Sequence, residues 1–416
     1  MQGIDLKYKA NYYSILLLGF ILPLFKEIIP IGILFFIITS CINNRWKEIR
    51  LTNYKKSILW LTPLFFVSLI SIAYSENKGI GAMNLETKLS LLAFPIGFQF
   101  SKLNFKKTFT PVLKSFTEGA FVACVLVLIH AFLQYYYSAD ATNLVYSKLS
   151  IFSHASYFSM YLCFGLSIIY YYAFSPSKSF YLKPVISFFL IVFFTTIIIL
   201  LSSKSGWIIL LIIHFSALLY WIIKHKNFVK GGIGLVTIIA GTFLFYTFSP
   251  TMKSRVNDLF YNISAETEGT RFSSTQSRML IWEISSDLIK EQPLFGYGAG
   301  DSKLALTKEY KNHNLGFLLD KQFNAHNQYL QSTLDAGLIG GITLLLLLFV
   351  PLIMCFKNKQ ALYAIFIGIL ALNFFSEAML ETQSGVIFYA FFNTLFFSVL
   401  MQQKSKNPVI SSNHLS

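Results

Sequence analysis

The residues best suited to chemistry lie between Ser274 and Gly341, the one long polar stretch of a mostly apolar chain. At about 100° per residue, Arg278, Trp282, Ser285 and Ile289 form one strip of a helix, and Glu283, Asp287 and Lys290 share the opposite face. An arginine turned towards the apolar side needs an anionic partner, and a pyrophosphate suits the planar fork of a guanidinium. The bland alternative is a snorkelling or salt-bridged surface arginine. Further on, Asn324 is expected to cap a helix starting near Ala325, which puts His326 in its first turn. A helix N-terminus disfavours imidazolium, so the ring would stay neutral and able to take a proton from an acceptor hydroxyl. A capping or hydrogen-bonded histidine is the plainer alternative.

Other polar residues flank the apolar runs. Lys204, in Leu-Leu-Ser-Ser-Lys-Ser-Gly-Trp, could grip a phosphate at the membrane edge or serve only as a topology anchor. Glu377 and Glu381, four apart, are expected to share a helical face, where they could order a cation such as Arg278 or contact sugar hydroxyls. His154 and Tyr157 are weaker candidates, and His313 reads as solvated. The glycines of Pro293-Leu-Phe-Gly-Tyr-Gly-Ala-Gly-Asp301 follow a helix, with spacing unlike a dinucleotide fingerprint, and read as a turn. No Asp-x-Asp or His-x-x-x-His occurs, so neither a metal nor another cofactor is expected. The four cysteines lie in or beside apolar runs, without ligand spacing.

The elements that must position these residues are apolar helices. Of 416 residues, 55% are hydrophobic and 13% charged, with net charge +15. Soluble domains carry about 25% charged residues, so an integral membrane protein is implied. Twelve runs approach the roughly 20 apolar residues of a span: 12–25, 28–42, 57–74, 89–101, 117–137, 157–174, 184–201, 205–223, 232–249, 336–356, 360–376 and 385–402. The first of them, although preceded by Lys7 and Lys9, lacks a small-x-small cleavage site and reads as a membrane helix. With the N-terminus inside, the cytoplasmic segments hold twenty Lys and Arg, the short outer loops five and the long loop 250–335 nine. That split obeys the positive-inside rule, from which the long loop is exempt, and it disfavours a nucleic-acid partner. Charges gather at the outer ends of spans rather than along them, as expected of a site at one membrane face. The expected fold is therefore all-α and polytopic, with about 12 transmembrane helices and a large periplasmic loop containing amphipathic helices. Its divisions are spans at 1–249, the loop at 250–335, further spans at 336–402 and a cytoplasmic tail at 403–416.

Four motifs in order, Arg278-x-x-x-Trp282, Pro293-Leu-Phe-Gly-Tyr-Gly298, His326-Asn327-Gln-Tyr329-Leu and Gly337-Leu-Ile-Gly340, resemble those of the O-antigen ligase/polymerase superfamily. The resemblance implies a metal-independent, inverting glycosyltransferase of the bacterial inner membrane, and the Lys and Arg split puts both termini in the cytoplasm. Its donor would be a glycan on undecaprenyl pyrophosphate, and its acceptor a lipid A-core or another glycan or protein. Arg278 would clamp the pyrophosphate and His326 would activate the acceptor, with Trp282, Tyr329, Glu377 and Glu381 around the substrates. The family's second arginine falls on Lys204, which lacks the bidentate fork, so Arg271 or Arg255 could share the donor grip. Ligase, repeat-unit polymerase and protein O-oligosaccharyltransferase share this donor chemistry. A twelve-span transporter or flippase is the competing class, but matched broken helices in two halves are not found.

Overall fold

The computed structural model describes residues 6–42, 59–174, 182–248, 253–254 and 274–405. Within them every regular element is helical. In chain order these are α1 (Leu6–Ile21), α2 (Ile29–Ile42), α3 (Pro63–Ala73), α4 (Lys78–Lys88), α5 (Ser90–Phe100) and α6 (Phe105–Ser138). A four-residue α7 (Tyr146–Leu149) leads to α8 (Ala155–Phe174), α9 (Pro184–Leu200), α10 (Lys204–His225) and α11 (Phe228–Phe248). The polar stretch folds into α12 (Ser274–Glu291), α13 (Ser302–Asn312) and α14 (Gly316–Lys321), before α15 (Gln328–Lys357), α16 (Ala361–Phe374) and α17 (Gln383–Ser405).

Each of the twelve apolar runs overlaps a helix among the described residues. Among the described residues five helices, against the twelve spans expected, are long and apolar enough to cross a membrane: α6, α8, α10, α15 and α17. Others, such as α2, α3, α9 and α16, are apolar but shorter. The expected fourth run begins where α4 hands over to α5 at Leu89.

The amount of lipid-like surface differs from helix to helix. In α17, 94% of the span is buried inside the protein, against 28% in α10. α17 packs on α5 and α6, and α8 packs on α9, α10 and α16, so these two helices form the centre. Rings fill the contact: Phe164 of α8 lies 4.8 Å from Phe392 of α17 and 5.1 Å from Phe366 of α16 between centroids. Offset and edge-on arrangements of this kind stabilise beyond plain area burial. α10 approaches α8 at Gly206, where a Cβ would collide with Ser159. That close approach seats the N-terminal end of α10, and Lys204 with it, against the bundle.

The outer layer has its own small core. Ile281, Ile284 and Leu288 of α12 meet Leu306 and Tyr310 of α13, Leu318 of α14 and Leu334 of α15. The glycine-rich turn after α12 acts as a buckle for this layer. Asp301 accepts from the backbone N–H of Glu76 at 2.6 Å and of Asn77 at 3.1 Å, so it caps the entry to α4 from 224 residues away. Gly300 N–H donates to Ser75 Oγ, and Tyr74 Oη–H donates to the Phe295 carbonyl.

The same turn also grips α15. That helix breaks at Ala336 and Gly337, the latter at φ +62°. The broken turn is repaired from outside: Leu338 N–H donates to the Pro293 carbonyl and Tyr297 N–H to the Leu334 carbonyl, each at 2.8 Å. A side chain at Gly337 would strike the Leu294 carbonyl, so only glycine supplies both the conformation and the space.

Candidate active site

Arg278 is one turn into α12, half-buried beside the stripe Ser277, Ile281, Ile284, Ser285 and Leu288 that faces inward. The strip expected from the helical wheel is thus rotated by about one position. Trp282 packs with the outer-layer core and does not line the site cavity described below.

Glu377 does not share a helical face with Glu381, as the spacing led one to expect. α16 ends at Phe374, and the chain crosses to α17 through non-helical residues and a 3₁₀ turn at Met379–Glu381. Without a helix to align them, the two carboxylates diverge. Glu377 Oε1 accepts from the Arg278 guanidinium at 2.6 Å and Oε2 meets His326 Nδ1 at 2.9 Å. Glu381 goes to Lys88 Nζ at 2.9 Å.

His326 also departs from expectation. The cap of α15 is Asn327, whose side chain accepts from the N–H groups of Tyr329 and Leu330, and the helix begins at Gln328. Asn327 wins because its extended backbone (φ −156°) is the cap conformation. Asn324 instead accepts from His326 N–H at 3.1 Å. His326 therefore precedes the helix, in the left-handed region at φ +44°. Non-glycine residues held there cluster at functional sites. A carboxylate accepting at Nδ1 fixes the Nδ1–H tautomer and leaves the Nε2 lone pair as a base. Nε2 has no protein partner among the described residues.

Burial pushes the Glu377 carboxyl up, but the hydrogen bond from His326 and the Arg278 charge outweigh it. The group is held below its ordinary value of 4.5. It is therefore a buried anion that orders one cation and one imidazole.

These side chains line a cavity of about 470 Å³ together with His154, Tyr157 and Lys204. Lys204 is the first residue of α10, behind its cap Ser203, and its Nζ donates to Thr275 Oγ1 at 2.7 Å and Ser274 Oγ at 3.3 Å. It is thereby fixed beside the start of α12. Among the described residues the Arg278 Nε–H and Ser277 Oγ are buried with no hydrogen-bond partner, as are Trp282 Nε1 and Ser285 Oγ on the same helix. Phe317 and Phe323 supply the cavity's apolar wall, and neither drew attention in the sequence.

Tyr329 is elsewhere. Its hydroxyl donates to the Ala371 carbonyl at 3.0 Å and its ring packs 4.9 Å from Phe375. It ties the start of α15 to the end of α16, and so aligns the segments bearing His326 and Glu377. Arg271 and Arg255 lie outside the described residues. His313 is exposed, 3.8 Å from Glu309.

Beside the cavity lies a buried ionic cluster that sequence reasoning missed. Lys88 Nζ sits 2.9 Å from Glu381 and 3.4 Å from Asp335, with lysine and aspartate side chains no more than 6% exposed. Burial alone would lower the Lys88 pKa, yet the two carboxylates raise it, so the ammonium is kept. Ser302 and Gln331 donate to Asp335 Oδ1 at 2.6 and 2.8 Å. The available signal was Asp335 itself, an acid at the head of a long apolar run.

The fold and site together define a helical protein with several membrane-length apolar helices and a cationic, imidazole-bearing cavity beside α12. Residues 189–345 match the family model described as O-antigen ligase. This stretch of the chain is similar to that family, as the four loop motifs had indicated; the family's members are membrane glycosyl-transfer enzymes. The match contains Lys204, Arg278 and His326 and stops short of Glu377. An uncharacterized protein of Haemophilus influenzae is 30% identical over 132 residues, 29% of this chain and 33% of the relative. The matched segment thus spans about a third of that protein's length.

Proposed function

We propose that the protein transfers a glycan from an undecaprenyl-pyrophosphate carrier to an acceptor hydroxyl at the periplasmic face of the inner membrane, as an O-antigen ligase-like enzyme with a lipid A-core acceptor. The observation that carries this reading is the bridge from Arg278 through Glu377 to His326 in one cavity with Lys204. A diphosphate leaving group needs fixed positive charge where water is scarce. Arg278 and Lys204 provide it.

His326 Nε2 takes the proton of the acceptor hydroxyl as its oxygen bonds to the anomeric carbon. The bond from that carbon to the pyrophosphate oxygen breaks in the same displacement, and the electron pair leaves on the pyrophosphate. One displacement inverts the anomeric centre. Glu377 stabilises the imidazolium that forms, in the manner of the carboxylate of a catalytic triad.

The test is a deletion strain complemented with variants, its envelope glycans resolved on a gel. Arg278→Ala and His326→Ala should each lose long chains attached to lipid A while the protein still accumulates in the membrane. Normal glycan display in either variant would refute the assignment. A single repeat unit left on lipid A would indicate polymerisation rather than ligation.

A further inference from the structure

The cavity at Arg278 has a neighbour. A second cavity, of about 320 Å³, shares Phe323, Asn324 and His326 with the first. Those three residues form a common wall, and His326 faces both spaces. The rest of the second lining includes Ser302, Lys303, Gln331 and Glu381. Phe323 is its only apolar residue, whereas the first cavity also holds Ile281 and Phe317.

The chemistry of the two spaces is divided. The first brings a guanidinium and an ammonium to an anion. The second mixes amides, a hydroxyl, a carboxylate and, at its mouth, the exposed Lys303, whose side chain makes no hydrogen bond or ion pair among the described residues. Hydroxyl groups donate and accept at once, so a lining of mixed donors and acceptors matches a polyhydroxylated ligand. A peptide acceptor would call for apolar pockets for its side chains, which this lining lacks. The position is held firmly: Gln331 is tied to Ala325 N–H, Ser302 and Asp335, and Glu381 to Lys88. A site on such a locked framework can select geometry.

We infer that this second cavity is the acceptor subsite and that it takes a carbohydrate hydroxyl, delivered to His326 from the side opposite the donor pyrophosphate. The inference rests on the donor reading above. It also supplies what a single inverting displacement requires, namely an entering oxygen and a leaving oxygen on opposite sides of the carbon. The partition Phe323–Asn324–His326 keeps the two substrates apart except at the reacting centre.

Thiol protection on the full chain in lipid nanodiscs tests the subsite without relying on turnover. In a Cys41→Ser background the three remaining cysteines are buried, so Lys303→Cys and, separately, Lys204→Cys report on one cavity each. Alkylation by a maleimide is timed with four probes: lipid A-core glycolipid, an undecaprenyl-pyrophosphate-linked glycan, glycan-free undecaprenyl pyrophosphate, and a serine-rich peptide. At about ten times its Kd, the lipid A-core glycolipid should slow alkylation of Lys303→Cys roughly tenfold. Glycan-free carrier should protect Lys204→Cys instead. Failure of the lipid A-core glycolipid to protect Lys303→Cys, or protection there by the peptide or the glycan-free carrier, overturns the inference. Failure of the carrier to protect Lys204→Cys overturns the donor reading, and the two failures are read at different positions.

Discussion

Glu377 Oε2 lies 2.9 Å from His326 Nδ1, joining residues 51 apart in sequence, while its other oxygen holds Arg278 at 2.6 Å. One buried carboxylate thus sets the spacing between the group suited to hold a diphosphate and the group suited to take a proton. Neither partner could be moved without the other following.

The first prediction concerns that carboxylate. In Glu377→Gln the amide can donate to Nδ1 and so favour the Nε2–H tautomer, which removes the base. Glycan transfer should fall roughly 10²-fold or more, within the range general-base catalysis contributes, with membrane insertion unchanged. In vitro transfer with purified protein measures it, and activity within about twofold of wild type would exclude the tautomer argument.

Acid should act through the same group. The folded Glu377 carboxyl is held below 4.5, so its ion pairs contribute fully above the ordinary glutamate value. Their contribution is lost as pH falls below that value and through the folded one. Thermal unfolding of wild type should therefore show no loss from this group between about pH 7 and 5, and a decline at lower pH that Glu377→Gln reduces.

A third prediction separates scaffold from chemistry. Lys88→Met leaves Glu381 and Asp335 facing one another without the ammonium between them. Removing one partner of a buried ionic cluster costs about 3–5 kcal/mol, so the variant should unfold at a clearly lower temperature or fail to accumulate. Lys88→Met/Asp335→Leu/Glu381→Gln should recover part of that loss, as a differential scan would reveal.

The α15 break offers a fourth. Gly337→Ala must adopt φ +62° and meets the Leu294 carbonyl. Strained backbone of this kind costs about 1–3 kcal/mol before any clash. The contact from Leu338 N–H to the Pro293 carbonyl should loosen, and hydrogen exchange across 293–301 should quicken. Unchanged protection there would show that the buckle does not depend on the glycine.

Much of this was legible in the amino-acid order. Periodicity and apolar runs located the helices, because a 3.6-residue repeat and a membrane-length run are local properties. Arg278, His326 and Lys204 were visible as polar residues with no local reason to be where they are. Other readings failed where a cap or a chain reversal intervened. Asn324 and Asn327 are equally good cap types three residues apart, and only the backbone conformation chose Asn327. Glu377 and Glu381 looked like one helical face because nothing local announced that α16 would stop at Phe374.

Residue order was enough for the helices, for one polar stretch among apolar runs and for a short roster of groups suited to holding a diphosphate and moving a proton. Tertiary structure alone decided that Glu377 would join two of them, that Trp282 and Tyr329 would pack rather than line the cavity, and that His326 would stand in a wall between two cavities. The physical reason is range. Hydropathy and helical period are written in neighbouring residues, whereas a charge's partner is chosen by packing between segments about 50 to 250 positions apart, as in Glu377 with His326 and Lys88 with Asp335.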